Sequence, residues 1–373
     1  MNILLILFFT TIITTITYCT VIFRYFLAWR NFLPTVDENS KIDDFPFVSV
    51  IIPFRNEKDN FQNLLESLKN QSYPANLLEI IAVDDHSTDE TVSIINFENV
   101  KILKNSGIGK KDALKTGIYK ACGEIILTID ADCIPEPFWI ETIAKNYQLK
   151  KPSMMQGPVK MRSDNSLLSR FQSIDYMSLQ MCGAGAIILN KSVFCSGANL
   201  SFVKNDWLEA IDIVSGKKIL SGDDVFLLHT IKKQKKTIIF IKDTNACVTT
   251  KTEEKISDFI RQRMRWGGKS LEYRDLSTIF LALIVFLCNF FLIVSACSLF
   301  FVPNLIFPFS LVLKMFFDYL LLKEGSDFYK LKMSVGEFIL FSIIYPFYLS
   351  FVAIGSFFVK TEWKGRKKSY SLT

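Results

Sequence analysis

Acidic residues occur in short clusters through the middle of this 373-residue chain, and several clusters directly follow apolar runs. Carboxylate oxygens suit Mg²⁺ and Mn²⁺, hard cations that complete their shell with water and diphosphate oxygens. A carboxylate further from the cation is free to accept a proton from an incoming hydroxyl. A lone Asp-x-Asp is more typical of a helix cap or a turn, so the prediction of a cation site depends on several clusters together. They are Asp84-Asp85, Asp130-Asp132 and Asp223-Asp224.

The region between about residue 45 and residue 275 alternates short apolar runs with amphipathic stretches. This alternation predicts βαβ units and an α/β fold with a mostly parallel sheet. In such sheets ligands bind beyond the carboxyl ends of the strands, and two of the acidic pairs follow predicted strands. Helical stripes are predicted at 64–68, 92–95 and 113–118. The predicted strands are 47–53, 78–83, 100–103 and 124–129.

The composition indicates one globular domain combined with a few membrane-spanning helices. Hydrophobic residues make up 50% of the chain, with 34 Phe and a mean hydropathy of +0.26, which is rare in a soluble protein. The charged fraction of 21% is too high for a chain that lies wholly in lipid. A net charge of +6 is small for this length and does not indicate a nucleic-acid partner. Eight Cys without a Cys-x-x-Cys pair and only two His indicate neither a zinc site nor a disulfide framework.

Three apolar blocks are candidates for membrane helices. Residues 2–23 carry no charge and precede Arg24 and Arg30, which predicts an uncleaved anchor with the following residues in the cytoplasm. Block 279–322 is long enough for two crossings, or for one crossing and an interfacial piece, and block 338–359 follows. Three and four spans therefore both remain open. Lys314 and Asp318, spaced i and i+4, could pair on one helix face.

These features predict three regions along the chain. Residues 1–30 form an N-terminal transmembrane anchor, and residues 31–275 form a cytoplasmic domain. Residues 276–373 form a C-terminal membrane region of two or three spans that ends in a basic tail. The basic residues of this tail are Lys360, Lys364, Arg366, Lys367 and Lys368.

Short segments spread over about 220 residues resemble the motifs of one enzyme family. Each is weak or moderate alone, but their order and spacing make a strong match. The segments are 49–57 (SVIIPFRNE), 83–89 (VDDHSTD), 109–117 (GKKDALKTG), 130–132 (DAD), 194–199 (FCSGAN), 222–224 (GDD) and 262–266 (QRMRW). On these residues the chain is identified as a member of the membrane-bound glycosyltransferases of family 2. The resemblance implies the GT-A nucleotide-sugar-binding fold, in a multi-pass protein of the inner cell membrane.

The resemblance also implies which residues bind the nucleotide-sugar donor. One set would contact the base and ribose, and Lys110 would lie near the diphosphate. Asp130 would touch the nucleotide or the metal. The set implied for the base and ribose is Pro53, Asn56, Glu57 and Asp85.

The metal and the general base follow from the same resemblance. Asp132, with Asp130, would coordinate Mn²⁺ or Mg²⁺. Asp224, in the pair Asp223-Asp224, falls where the family keeps its general base. It would deprotonate the acceptor hydroxyl for a direct displacement at the anomeric carbon, which inverts the configuration.

Gln262, Arg265 and Trp266 match the Gln-x-x-Arg-Trp motif of the family, which closes over the diphosphate and acceptor near the membrane. A guanidinium binds phosphate oxygens bidentately, and an indole offers a flat face on which a sugar ring can stack. The alternative is an amphipathic juxtamembrane helix whose Arg261, Arg263 and Arg265 meet anionic lipid. That alternative explains the arginines but not the Gln and the Trp.

The leading functional hypothesis is inverting transfer of a sugar to a lipid or lipid-linked glycan in cell-envelope glycan synthesis, with a UDP-sugar as the expected donor. The motifs also resemble the processive synthases of cellulose, chitin and hyaluronan, but three or four helices are few for a polymer channel unless a partner membrane protein contributes. A polyprenyl-phosphate glycosyltransferase is a further alternative within the enzymes. A noncatalytic membrane scaffold that kept the fold is the alternative from another class, and it predicts decay of the acidic set, which is intact here.

Overall fold

The computed structural model describes residues 2–34, 44–95, 99–164, 166–214, 223–270 and 272–358, with two short strands at 362–363 and 366–367. Gly222 of the Gly-Asp-Asp segment lies outside the described residues, as do Lys360, Lys364 and Lys368 of the basic tail. The side chains of Asp223, Arg366 and Lys367 also lie outside the description.

The chain divides into two compact units. The sheet unit comprises residues 33–164, 192–252 and 363–373, and the helical unit comprises 1–32, 165–191 and 253–362. The helices are Asn2–Asn31 (α1), Lys58–Lys69 (α2), Thr91–Ile94 (α3), Lys110–Lys120 (α4), Trp139–Lys150 (α5), Leu167–Ile188 (α6), Lys204–Val214 (α7), Asp223–Lys233 (α8), Ile256–Ser270 (α9), Leu276–Ser298 (α10), Ile306–Tyr329 (α11) and Val335–Gly355 (α12).

The strands are Val48–Phe54 (β1), Leu78–Asp84 (β2), Val100–Lys104 (β3), Ile125–Thr128 (β4), Ile134–Pro135 (β5), Met154–Gln156 (β6), Val159–Arg162 (β7), Leu200–Val203 (β8), Ile238–Phe240 (β9), Val248–Lys251 (β10), Glu362–Trp363 (β11) and Arg366–Lys367 (β12). The main sheet has the order β3-β2-β1-β4-β8-β6-β9, and a smaller sheet has the order β5-β10-β7. In the main sheet β8 runs antiparallel to both of its neighbours, and the other adjacent pairs are parallel. The predicted α/β fold with a mostly parallel, mixed sheet is therefore confirmed.

The four predicted strands correspond to β1, β2, β3 and β4. All seven residues of β1 are buried, as expected for a central parallel strand that is covered on both faces. Helix α2 buries Phe61, Leu64, Leu65 and Leu68, one stripe at helical spacing. Helix α4 lies close to the sheet at Gly117, where an added Cβ would be 2.7 Å from the Cγ2 atom of Ile51. Close packing therefore holds α4 directly against β1.

Three helices of the described chain are long and apolar enough to cross a membrane: Leu4–Asn31, Leu276–Ser298 and Val335–Gly355. Helix α11 lies beside α1 in the same direction, since Tyr18 donates to Asp318 (2.7 Å) and Trp29 packs edge-on against Phe328. Lys314 donates to Asp318 at 2.6 Å, which confirms the predicted i,i+4 pair. Because Lys314 is only 2% exposed, this pair belongs to the interior of the helical unit.

Helix α6 belongs to the helical unit although it lies between two segments of the sheet unit in sequence. It begins with a Ser166 cap that accepts from the Ser169 backbone, and it packs on α1 at Gly185. An added Cβ at Gly185 would be 2.7 Å from the Cβ of Tyr25, so the two helices touch through backbone and small atoms. None of the helical stripes predicted from the sequence corresponds to this helix.

Candidate active site

The centre of the candidate site lies just after β4. Strand β4 is buried along its whole length, whereas Asp130 and Asp132 are both partly exposed. The Cys133 backbone donates to the Asp130 carbonyl (3.1 Å), which closes the turn between them. Lys110, the first residue of α4, forms an ion pair with Asp130, and the two side chains remain 26% and 34% exposed. The predicted diphosphate residue and the predicted metal ligand thus lie in direct contact.

Carboxylates outnumber the Lys110 ammonium in this cluster. Burial works to lower the pKa of the Lys110 ammonium, but Asp130, Asp224 and Asp132 outweigh it and raise the pKa. Burial, followed by the Asp130 and Glu57 carboxylates, raises the pKa of Asp132 to about 6. A carboxylate that lies close to other carboxylates holds a proton or a cation more tightly than an isolated one does. The electrostatics therefore favour a cation beside Asp132.

The turn after β1 forms one wall of the site. Pro53 is buried within the strand, and Asn56 adopts a positive φ of 51°, which Asn tolerates better than most residues. The Asn56 side chain accepts from the Thr88 backbone (2.8 Å), and the Glu57 backbone donates to the hydroxyl of Thr91 (2.8 Å). These bonds tie the turn after β1 to the loop after β2, as parallel neighbouring strands allow.

Asp85 is fully buried beneath the same edge of the sheet. One carboxylate oxygen accepts from the Asn105 side chain (2.7 Å) and from the Gly109 backbone (2.9 Å). Gly109 has φ 96°, a conformation that favours glycine, and it immediately precedes Lys110. Asp85 therefore fixes the loop that begins α4 and, through it, the position of Lys110. Its contact with a nucleotide stays a prediction.

Asp224 lies at the start of α8 and is held from both sides. One carboxylate oxygen accepts from the Gly197 backbone (3.0 Å), and the other accepts from the backbone of Val225 (2.9 Å). The Gly197 carbonyl in turn accepts from the hydroxyl of Thr128, the last residue of β4 (3.0 Å). An apolar pocket lined in part by Leu114, Ile118, Phe202, Trp207 and Leu227 lies beside Asp224. The predicted base thus borders both the charged cluster and an apolar surface.

Asn199 is a site-shaping residue to which the sequence analysis assigned no role, although it ends the quoted 194–199 segment. It is 1% exposed, and its side-chain amide donates to the carbonyls of Pro158 and Ala246, each at 2.8 Å. Its side-chain oxygen accepts from the Trp139 indole (2.9 Å). All three polar positions of the side chain are bonded, which locks the segment that carries Gly197. An Asn beside small residues was the only available signal.

Gln262, Arg265 and Trp266 lie on α9 in the helical unit. The Gln262 amide donates to the Glu253 carboxylate (2.8 Å), and the Trp266 ring packs against that of Tyr176, with centroids 5.9 Å apart. Arg261 is exposed, but Arg263 is only 5% exposed. The alternative in which all three arginines meet lipid is therefore wrong for Arg263, because its guanidinium lies inside the protein.

The residues around Asp132 fit a divalent cation that shares its shell with a ligand. Among the described residues no group of three or more His, Cys, Asp or Glu is arranged to hold a metal alone. Mg²⁺ in phosphate-transfer sites usually takes one or two carboxylates, and the substrate phosphates and water supply the rest. The pair Asp130-Asp132, with its raised Asp132 pKa, matches that donor set.

Comparison with known proteins agrees with this geometry. The model of the family described as Glycosyl transferase family 2 matches residues 49–210. A Methanococcus voltae enzyme named dolichyl N-acetyl-alpha-D-glucosaminyl phosphate 3-beta-D-2,3-diacetamido-2,3-dideoxy-beta-D-glucuronosyltransferase is 26% identical over 60% of this chain and 72% of its own. A poly-beta-1,6-N-acetyl-D-glucosamine synthase of Staphylococcus epidermidis is 27% identical over 68% of this chain and 62% of its own. The chain spans between 41% and 72% of the length of the first curated relatives that it matches.

A solved structure shares the fold over nearly the whole chain. It is the mannosyltransferase PcManGT from Pyrobaculum calidifontis in complex with GDP-Man and Mn²⁺. The superposition has a TM-score of 0.60 and 17% identity, and it covers 94% of this chain and 99% of that one. This similarity confirms the predicted GT-A fold. The family-model match identifies residues 49–210 as a domain of the glycosyltransferase family 2 type.

Proposed function

We propose that the protein transfers a sugar from a nucleotide diphosphate donor to a hydroxyl of a membrane-associated acceptor, with inversion at the anomeric carbon. The observation that carries the proposal is the convergence of Lys110, Asp130, Asp132 and Asp224 in the sheet unit. These are the charges that such a reaction needs: a cation for the diphosphate, carboxylates for a metal and a separate carboxylate as base.

On the donor side, Lys110 binds the diphosphate and the turn that carries Asn56 and Glu57 contacts the nucleoside. Asp130 and Asp132 hold Mn²⁺ or Mg²⁺. When bound, the metal neutralises the charge that develops on the departing nucleoside diphosphate. The support is the donor set described above, together with the Mn²⁺ and GDP-Man in the complex of PcManGT, a protein of the same fold. A UDP-sugar is the proposed donor.

On the acceptor side, Asp224 accepts the proton from the attacking hydroxyl. The oxygen then bonds to the anomeric carbon as the bond to the diphosphate breaks, so the configuration inverts. The Gly197 backbone donor orients the Asp224 carboxylate, and Asp223, the first residue of α8, is the second residue that we propose for the catalytic step. Gln262, Arg265 and Trp266 bind the diphosphate and acceptor once the donor is in place.

We propose a lipid or lipid-linked glycan as the acceptor. Three helices long and apolar enough to span a membrane support this, and so does the lipid-linked sugar in the name of the M. voltae relative. A cytoplasmic catalytic domain is part of the proposal, and the basic residues Arg24 and Arg30 after the first apolar stretch support it. The protein is then a multi-pass enzyme of the inner membrane with the three regions 1–30, 31–275 and 276–373.

Processive polysaccharide synthesis is the second candidate. It is favoured by the alignment with the S. epidermidis poly-N-acetylglucosamine synthase, which runs over 273 residues and extends well beyond the 162-residue span of the family-model match at 49–210. The two candidates share the donor chemistry and differ in the product. A lipid that gains one sugar supports the first candidate, and a polymer supports the second.

The test is nucleotide release by the purified full-length protein in detergent. A panel of UDP-, GDP- and dTDP-sugars is offered with Mn²⁺ or Mg²⁺ and added lipid extract, and the products are analysed by mass spectrometry. Asp224→Asn removes the base, and Asp59→Asn, on the exposed face of α2, is the matched control. Metal-dependent release that selects one donor and disappears only in Asp224→Asn is the expected result. Equal release by both variants would refute the role of Asp224.

The folded protein could still bind a nucleotide-sugar in calorimetry but release nucleotide from none of the donors. That result would mean that the acceptor or a membrane partner is missing. The assay would then be repeated in native membranes. Absence of donor binding as well would contradict the catalytic proposal and return the noncatalytic scaffold as the preferred reading.

A further inference from the structure

Arg263 differs from the arginines on either side of it along α9. Arg261 forms an exposed pair with Asp258, and its side chain is 70% exposed. Arg263 is 5% exposed and pairs with Asp175 of α6, which is 4% exposed. Its Nε atom donates to an Asp175 carboxylate oxygen at 2.8 Å. A residue between the motif positions Gln262 and Arg265 is thus the most deeply buried charge of the helix.

The Arg263 guanidinium contacts two of the three motif side chains, Gln262 and Trp266. One NH₂ group donates to the Gln262 side-chain oxygen at 2.5 Å. The central carbon lies 4.3 Å from the centroid of the Trp266 ring and 4.8 Å from that of Phe259. The second NH₂ group is buried without a hydrogen-bond partner among the described residues. The cation therefore lies among aromatic rings, with its ordered bonds directed to Asp175 and Gln262.

Helix α6 reaches the same motif by a second route. The Gln172 amide donates to the Glu253 carbonyl (2.8 Å) and accepts from the Glu253 backbone (2.9 Å). The Glu253 carboxylate accepts from the Gln262 amide at 2.8 Å. Both polar atoms of the Gln262 side chain are therefore bonded, one to Arg263 and one to Glu253. Gln172 and Asp175, three residues apart on α6, together determine its orientation.

Stability alone does not account for a buried ion pair at this place. Desolvation of two charges offsets most of their attraction, and apolar residues of similar volume usually fill such a space at equal or better stability. Only a guanidinium can lie flat against an indole, donate to a side-chain amide and bind a carboxylate at the same time. These contacts act on Gln262 and Trp266, which the proposed function uses.

We propose that Arg263, held by Asp175, is a positioning residue that fixes the Trp266 indole and the Gln262 amide for the transfer reaction. The proposal rests on the proposed function for its catalytic part. Its structural part stands independently, because the orientation of Trp266 is measurable without turnover.

The test compares Arg263→Met, Arg263→Lys and the double variant Asp175→Leu/Arg263→Met with Arg261→Met as the matched exposed control. Emission from Trp266, one of five Trp, is isolated by subtracting the spectrum of the corresponding Trp266→Phe protein. Quenching by acrylamide and the donor kcat and KM are measured on the same samples. The double variant keeps the experiment decisive if Arg263→Met alone does not fold, because it leaves no unpaired buried charge.

We expect Arg263→Met and the double variant to shift Trp266 emission to the red, increase its quenching and lower kcat by about 10- to 100-fold, since misplacement of a positioning group has effects of this size. The donor KM changes little, Arg263→Lys recovers part of kcat, and Arg261→Met matches the wild type. Wild-type emission and kcat in the double variant would overturn the proposal. If neither the wild type nor any variant transfers sugar, the proposed function is refuted. The emission and quenching of Trp266 then still decide whether Arg263 positions its indole.

Discussion

The charged residues of the two units are arranged in opposite ways. In the sheet unit Lys110 and Asp130 are 26% and 34% exposed, and burial, followed by the neighbouring carboxylates, raises the pKa of Asp132 to about 6. In the helical unit Arg263 and Asp175 are 5% and 4% exposed and pair with good geometry at 2.8 Å. The first group has an unbalanced excess of carboxylates, and the second is a closed pair.

This difference indicates two kinds of role. Partly exposed carboxylates remain responsive to a ligand, because a cation that enters the site relieves the repulsion between them. A buried ion pair whose charges compensate each other does not respond to a ligand in this way, and it holds its neighbours in one arrangement. Under the proposed function, the sheet unit carries the charges that take part in the chemistry, and the helical unit holds the motif residues of α9 in one arrangement.

Breaking the buried pair should have the largest effect on stability. Asp175→Leu leaves the Arg263 guanidinium buried without its counter-ion, so the free energy of unfolding should fall by about 3–5 kcal/mol. The measurement is unfolding in mixed detergent micelles followed by circular dichroism. Asp258→Leu, which breaks the exposed pair with Arg261 on the same helix, should change stability by about 1 kcal/mol or less. Equal losses in the two variants would remove the distinction between closed and open charges.

Removing a carboxylate from the open cluster should affect activity instead of folding. Asp132→Asn should lower kcat by about 100- to 1,000-fold, since electrostatic groups at developing charge contribute on this scale, and should leave unfolding unchanged. Chelation by EDTA should inactivate the wild type yet add little to the defect of the variant, because both remove the same interaction. Asp59→Asn is the control. A further large loss on chelation of Asp132→Asn would place the metal elsewhere.

Disturbing the contact between Gly267 of α9 and Ser356 at the end of α12 should have the smallest of the three effects. An added Cβ at Gly267 would be 2.3 Å from the Ser356 hydroxyl and 3.1 Å from its Cβ. Gly267→Ala should therefore cost about 1–3 kcal/mol through overpacking, and adding Ser356→Ala should recover part of that loss. Gly336→Ala, where nothing lies within 4 Å of the new Cβ, should be neutral in the same unfolding assay. Tolerance of Gly267→Ala would mean that the helices can move apart at this position.

Much of the sheet unit was predictable from local sequence patterns. The apolar runs of β1 to β4 and the apolar stripes of α2 and α4 extend over a few neighbouring residues. Such local patterns can be recognised without knowledge of the fold. The acidic pairs after β2 and β4 follow from the same patterns, because the ends of the strands are readable. By contrast, β8 runs against its neighbours, and its direction depends on where the chain returns after α6.

The site could be predicted only in part. The segment 194–199 was recognisable, but its Asn199 binds the carbonyls of Pro158 and Ala246, which lie 41 and 47 residues away. No local sequence pattern predicts hydrogen bonds between residues so far apart in the chain. The burial of Asp85 beneath the sheet edge was equally hidden, since an acidic residue in a loop gives no sign of whether protein or solvent surrounds it.

The amino-acid sequence by itself determined the strands β1 to β4, the carboxylates that come at the ends of β2 and β4, and the apolar stretches long enough for a membrane, because each depends on neighbouring residues alone. The tertiary structure decided which charges are compensated. Lys110 meets Asp130 from 20 residues away, and Arg263 meets Asp175 from 88 residues away. Compensation depends on burial and on partners brought together by packing, so three arginines that look alike in sequence include one that is exposed and one that is enclosed.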